Sequence, residues 1–473
     1  MNSDLLDGLL AVAGAESLGQ YAELTGHDPV FPLPWRIGEA GAATIAACGL
    51  AAAQLWQLRT GRMQRVRVDV DAAAAAMRGD RYLRRETTSP DTAPSPSAVR
   101  GNHGDIYLAK DNRWIYLHRG FAHHRARIAA VLDGADDLTA LERAVSRWDA
   151  EALENAVHEA GACAGMVRTR ADWLAHDQAR AVASLPLLQI EKAGEAPVEP
   201  VPAGGRPLEG FRVLDLTRVL AGPTCGRTLA EHGAEVLRIG TDLLPNNEAQ
   251  NIATGHGKRS TVLDLTSDAG RDRLRALIGH ADVFAQGYRP GSLEGRGFGV
   301  QDVAALRPGV VYLSLSAFGH AGPWQHRRGF DTLVQAVSGI CHDYALEGRP
   351  RHLPVSVLDY ATGYLAAFGV MVALARRAQE GGTYHVRVSL TQTARWLTSM
   401  PPLDAREVAQ AAPELPKERV EALSMRSNTP FGPLTHLAPI VQMSETSASW
   451  DHPSVPLDHD PPEWLAAPRI RAG

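Results

Sequence analysis

The chain has 473 residues, with 48 Lys and Arg against 53 Asp and Glu, a formal charge of −5. That length allows two or three domains with cores of their own, and the mild acidic balance argues against a general nucleic-acid surface while leaving room for local basic patches. Four widely spaced cysteines, Cys48, Cys163, Cys225 and Cys341, give neither a disulfide framework nor a CxxC metal motif, which fits a reducing compartment.

The opening MNSDLLDGLL is acidic and lacks the basic stretch of a secretory signal, so a cytoplasmic location is expected. Residues 40–58 form an alanine-rich helical pattern, and VRVDV at 66–70 alternates like a strand. The Pro-, Ser- and Thr-rich run 87–101 reads as a linker or lid. DIYLAKDNRWIYL, from 105, suggests a hairpin turning at Lys110–Asn112, followed by helices near 121–133, 138–146 and 149–159, so 105–197 is expected to be a small α/β domain. Residues 198–207 read as a second linker.

From 208 the rhythm changes. Strands are predicted at 212–217, 235–239, 260–265, 282–287 and 310–316, separated by helices near 223–232, 268–278 and 301–306. That alternation predicts a Rossmann-like parallel sheet in a large α/β domain spanning 208–400, whose working residues gather at the carboxyl ends of the strands. The apolar helix beginning at 358 runs into YHVRVSL, and the proline-rich remainder, 401–473, is expected to wrap the surface. The apolar helices near 40–56 and 362–378 read as core helices of an α/β fold, and no membrane span is expected.

Residues 354–390 also look like a second copy of 34–70. An ungapped offset pairs Pro34 with Pro354, Gly49 with Gly369, Gly61 with Gly381 and Val66-Arg67-Val68 with Val386-Arg387-Val388, with nine of 37 positions identical. Glu39 falls opposite Asp359, so one unit occurs twice with one chemically competent carboxylate expected. On this reading 1–86 is a partial copy of the large-domain helix and strand.

Six pieces in order then carry a family resemblance: LEGFRVLDLTRVLAGPTCGRTLAEHGAEVLRI (208–239), HGKRSTVLDL (256–265), YRPGSLEGRGFG (288–299), LRPGVVYLSLSAFGHAGP (306–323), RRGFDTLVQAVSG (327–339) and the 355–390 segment around VLDYATG. Together they resemble the class III CoA-transferases, the family of formyl-CoA transferase, the carnitine CoA-transferases and the α-methylacyl-CoA racemases. Against the order usual in that family, 34–193 resembles a later portion placed before a family-like beginning, as in a permuted or truncated tandem.

The resemblance implies transfer of CoA from an acyl-CoA to a carboxylic acid, with Asp359 as nucleophile through mixed-anhydride and aspartyl-CoA thioester intermediates. It places Asp331 and Gln335 where they position the acceptor or an intermediate. Arg218, Val219, Leu220 and Ala221 match the loop at the CoA thiol arm, and Lys258, Arg259, Tyr288 and Arg296 match the nucleotide end. Gly101 and Gly104 match a shortened glycine lid.

Phe330 stands where racemases carry a histidine and cannot move a proton, while Leu220, Gly240 and Gly295 also depart from the family pattern. Glu39 carries one methylene too many for the nucleophile's place and is expected to be structural. A CoA-thioester lyase or isomerase, or a non-catalytic CoA-binding subunit, are the alternatives. Acyl-CoA and an acid are the expected partners, with no metal and no tightly bound cofactor. A homodimer or a heteromer with a related subunit is the expected assembly.

Overall fold

The computed structural model describes residues 2–86 and 106–465. In the N-terminal segment, β1 (Ala22–Thr25) and β2 (Val66–Asp69) pair in parallel around a helix at Ile37–Thr60. Eight alanines and few β-branched residues favour that helix. Gly61, at φ +78°, ends it, donating its N–H to Gln57 O at 2.8 Å. A short helix, Val70–Ala76, leads to β3 (Arg84–Arg85).

The expected hairpin follows, with β4 (Ile106–Leu108) and β5 (Trp114–Leu117) antiparallel and Asn112 at positive φ in the turn. β6 (Ala164–Met166) completes a three-stranded sheet in the order β4-β5-β6. Helices at Ala122–Val131, Leu138–Val145 and Ala150–Glu159 lie between β5 and β6 in the chain, close to the expected positions. Leu117, Ile128, Leu141, Leu153 and Val157 form a separate small core there. β7 (Leu188–Gly194) leaves this unit to become an edge of the large sheet.

The large sheet adds β8 (Arg212–Leu216), β9 (Glu235–Gly240), β10 (Lys258–Val262), β11 (Val283–Gln286), β12 (Val311–Ser316) and β13 (Thr383–Ser389), in the order β10-β9-β8-β11-β12-β13-β7. Neighbours pair in parallel except β7, which runs antiparallel to β13. The third predicted strand begins two residues earlier than expected, because Gly257, at φ +79°, makes the turn immediately before Lys258. Near the end, β14 (Ser424–Thr429) and β15 (Gly432–Leu437) form a hairpin that pairs with β3, and β16 (Gln442–Met443) pairs with β2. The C-terminal segment thus holds on to the N-terminal one.

A helix at Val357–Glu380 crosses the centre and packs against Ile37–Thr60, with Cys48 Sγ 3.0 Å from Tyr364 O. Both helices are long and apolar enough to cross a membrane by length and composition, and both are largely buried inside the protein. Each needs a glycine where its following strand approaches. A Cβ on Gly49 would lie 2.6 Å from Val66, and one on Gly369 would lie 2.8 Å from Val386.

Candidate active site

Asp359 sits in the first turn of the Val357–Glu380 helix, where backbone N–H groups lack helical partners. Asp331, the first residue of the Asp331–Val337 helix, supplies an acceptor from another element. Its Oδ2 takes the N–H groups of Leu358 at 2.9 Å and Asp359 at 3.1 Å. Gln335, one turn after Asp331, donates through Nε2 to Asp331 Oδ1 and accepts the Leu353 N–H at 2.9 Å. The three residues predicted at the reacting end therefore form one linked group.

The Asp359 side chain itself accepts no hydrogen bond among the described residues, although the residue is only 7 % exposed. Burial pushes its pKa well up, and the like charges of Asp331 and Asp80 push further. Burial also raises Asp331, against the pull of its hydrogen bonds. Asp80 belongs to the N-terminal segment. Its N–H donates to the Tyr360 hydroxyl at 2.9 Å, and that hydroxyl lies 3.3 Å from Asp80 Oδ1.

The loop Arg218–Leu220 leaves the carboxyl end of β8, and Ala221 opens the next helix. Val219 holds φ +69°, a strained conformation for a β-branched residue. Gly363, one turn beyond Asp359, allows this segment to approach: a Cβ there would stand 2.4 Å from Ala221 O. The predicted thiol-arm segment is thus brought against the helix that carries Asp359.

A cluster of arginines gathers around Tyr288 and His123. Tyr288 follows β11, and Arg218, Arg238 and Arg296 all act on its phenol. Arg127, Arg218 and Arg328 act on His123, and Arg289 and Arg127 act on Arg328. None of Arg127, Arg218, Arg289, Arg296 and Arg328 makes a carboxylate ion pair among the described residues. Phe330 lies between Arg328 and Asp331 in the chain, and its ring stacks on His118 with centroids 4.3 Å apart. Burial lowers the neighbouring His124 to about 3, so it is neutral at physiological pH.

Lys258 and Arg259 are engaged by groups of the chain itself. Lys258 is buried, with Nζ 2.7 Å from both Asp215 Oδ2 and Pro223 O. Arg259 is held by the carbonyls of Glu463 and Pro461 and lies near Glu235 and Asp460. They start β10, at the end of the sheet opposite the strand carboxyl termini, and their charges are already matched within the chain. Gly101 and Gly104 lie outside the described residues.

The helix start containing Glu39 has a similar backbone arrangement and a different electrostatic one. Asp28 accepts the N–H groups of Gly38 at 3.2 Å and Glu39 at 2.8 Å, as Asp331 does for Leu358 and Asp359. Arg36 Nη1 then reaches Glu39 Oε2 at 2.8 Å. Three residues before Asp359, the corresponding place holds Ser356.

Residues 11–204 and 208–432 match CoA-transferase family III. The chain belongs to this family. Among its relatives in family III, the acetyl-coenzyme A transferase nodX of Hypoxylon pulicicidum is 31% identical over 319 residues, 62% of this chain and 54% of that protein. An acyl-CoA transferase of Gibberella moniliformis is 28% identical over 507 residues, 91% of this chain and 88% of that protein. The crystal structure of Rv3272 from Mycobacterium tuberculosis, 32% identical, covers 40% of this chain and 57% of its own, with a TM-score of 0.38. The chain thus spans little more than half the length of nodX and of Rv3272.

Sequence reasoning missed Asp80, Asp28, Arg36, Arg238 and the arginines at 127, 289 and 328. Arg289 and Arg328 stand inside the YRPG and RRGFD motifs of the family III resemblance, where a signal was available. Among the described residues, no group of three or more His, Cys, Asp or Glu side chains could hold a metal ion.

Proposed function

We propose that the chain transfers CoA from an acyl-CoA thioester to a carboxylic acid, with Asp359 as the nucleophile. The observation that carries the reading is the buried Asp359 carboxyl, free of hydrogen-bond donors among the described residues and fixed at its backbone by Asp331, within a family-matched segment. A carboxylate without solvating donors is a stronger nucleophile than one in water, and the surrounding fold holds it in place.

In the first step a carboxylate oxygen of Asp359 attacks the thioester carbonyl. A C–O bond forms, the C–S bond breaks, and CoA leaves as thiolate, giving a mixed anhydride. The thiolate attacks the Asp359 side-chain carbonyl, releasing the donor acid and leaving an aspartyl-CoA thioester. The acceptor carboxylate attacks that thioester and expels the thiolate again. Attack by the thiolate on the acceptor's acyl carbon then regenerates Asp359 and releases the new acyl-CoA. Each step exchanges one activated acyl species for another, so the thioester's free energy is conserved. Asp331 and Gln335 position the reacting helix turn.

Arg218, Arg289, Arg296 and Arg328, with Arg127 and Tyr288, are the groups suited to CoA's phosphates and nucleotide. Their unmatched charge favours them over Lys258 and Arg259 for that role. The Val219–Ala221 segment, between the two ends, suits the thiol arm.

The chain also reads as a tandem in which 34–70 and 354–390 are copies of one unit. Support comes from the shared helix, strand and glycine positions and from the matched capping by Asp28 and Asp331. On this reading Arg36 neutralises the carboxylate of the first copy, leaving one nucleophile per chain.

The direct test incubates the protein with acyl-CoAs, traps with neutral hydroxylamine and maps adducts by mass spectrometry. An Asp359 hydroxamate, absent from Asp359→Asn, is expected. A folded, CoA-binding protein that turns over acyl-CoA with no adduct at Asp359 would overturn the mechanism.

A further inference from the structure

We infer that the buried Lys258–Asp215 ion pair positions the loop Arg218–Leu220, fixing it from both ends and so setting turnover at Asp359 without touching CoA. The inference rests on the CoA-transfer reading and adds Lys258, Asp215 and Thr217 to that site as positioning residues.

The loop starts where β8 ends and runs into the helix Ala221–Glu231. On the entry side, Asp215 Oδ1 accepts the Thr217 N–H at 3.1 Å and the Thr217 hydroxyl as well. On the exit side, Lys258 Nζ donates to Pro223 O at 2.7 Å. The same ammonium donates to Asp215 Oδ2, also at 2.7 Å, so one ion pair joins the end of the strand to the first turn of the helix. Asp215, Thr217 and Lys258 are all buried.

Between these ties Val219 holds φ +69°, which a β-branched residue keeps only where its surroundings impose it. Two glycines make room for the arrangement. A Cβ on Gly226 would stand 2.5 Å from Asp215 Oδ2 and 2.9 Å from Lys258 Nζ, and one on Gly222 would stand 2.2 Å from Thr217 Cβ. Just past the loop, Ala221 O and the Thr224 side chain press on Gly363, where a Cβ would stand 2.4 Å from the first and 2.7 Å from the second. Gly363 lies one turn beyond Asp359, so a shift of the loop reaches the helix that carries the nucleophile. Taking an ammonium and a carboxylate out of water is costly. What the pair supplies in return, and an apolar pair cannot, is a directed bond to each end of the loop.

Two sets of variants of the full chain test this. Asp215→Asn combined with Lys258→Met removes both charges together, so no ion is stranded in the core, and it removes the donation to Pro223 O while an amide oxygen still faces Thr217. It is expected to melt close to the native protein and to bind CoA within about threefold of it, while kcat for CoA exchange falls about tenfold or more. Thr217→Val keeps the side chain's shape and loses the hydroxyl bond to Asp215, whereas Thr217→Ser keeps that bond and loses the methyl group. The serine variant is expected to exceed the valine variant severalfold in kcat. Packing against Gly222 alone would give the opposite order.

A folded double variant with native kcat, or one that loses CoA affinity alone, would overturn the inference. So would a Thr217→Val protein at least as active as Thr217→Ser, and this comparison decides alone if the double variant does not fold. The native protein separates the inference from the reading beneath it. A native chain that binds CoA but gives neither exchange nor an Asp359 adduct sinks the transferase reading, and the inference with it. An active native chain whose folded variants keep its kcat sinks the inference alone.

Discussion

Asp331 holds the backbone of Asp359, not its side chain: the Asp331 carboxylate takes the Asp359 N–H at 3.1 Å and the Leu358 N–H at 2.9 Å. One acid thereby fixes the other through its backbone, without using that side chain's own oxygens. Asp359→Asn is expected to abolish acyl-CoA exchange. Asp359→Glu is expected to lose at least about 100-fold in kcat, because the added methylene displaces the nucleophile on the order of 1 Å. Asp331→Asn keeps one acceptor oxygen and should retain CoA binding while kcat falls about tenfold or more. Steady-state kinetics and CoA titration on folded variants check this, and a fall confined to CoA affinity would count against the positioning role.

The same backbone arrangement at Asp28 and Glu39 ends in a salt bridge to Arg36. Trapping is expected to yield one adduct per chain, with none at Glu39, and Glu39→Gln should change exchange by less than about twofold. Arg36→Ala leaves Glu39 buried without its cation and is expected to destabilise the fold by about 3 kcal/mol. Denaturant melts supply that number. Two equivalents of adduct would show that the Glu39 segment is active as well.

The arginine cluster and the buried Lys258 make opposite predictions. On the proposed phosphate-binding reading, Arg289→Ala and Arg328→Ala should each raise the KM for an acyl-CoA about tenfold, with a loss that shrinks as salt rises, because each removes an accessible positive charge. Lys258→Ala strands Asp215 in the core and is expected to lower stability by about 3 kcal/mol. If the Lys258 variant folds normally and loses only CoA affinity, the phosphate assignment has to be reversed.

Much of the architecture was legible because period and punctuation agree. The strands β8, β9, β11 and β12 are short apolar runs between helical patterns, and their predicted bounds fall within a residue or two of those observed. The Asp359 segment stood out in the sequence because its neighbours form a recognisable local motif. The arginine cluster stood out less: Arg127 stands on the small unit, and Arg289 and Arg328 follow different strands, so their proximity exists only after folding. For the KR pair, residue type reveals charge but not that Asp215 and Asp460 lie opposite. Asp80 had no signal at all, since only its meeting with Tyr360 gives it a place at the site.

Glu231 makes stability depend on pH in a direction opposite to that of an ordinary salt-bridged acid. It is buried on the helix after β8, and burial pushes its pKa up to about 8, against the pull of Arg227 and Arg206. The native state therefore holds a proton that the unfolded chain releases near pH 4.5, the group's ordinary value. Its contribution is fully present below that value and is lost as pH rises towards 8, at up to about 1.4 kcal/mol per pH unit. Glu231→Gln carries no such proton. Urea melts at pH 5, 7 and 9 should show the native protein weakening relative to this variant as pH rises. Parallel pH profiles for the two proteins would mean that Glu231 does not retain its proton in the folded core.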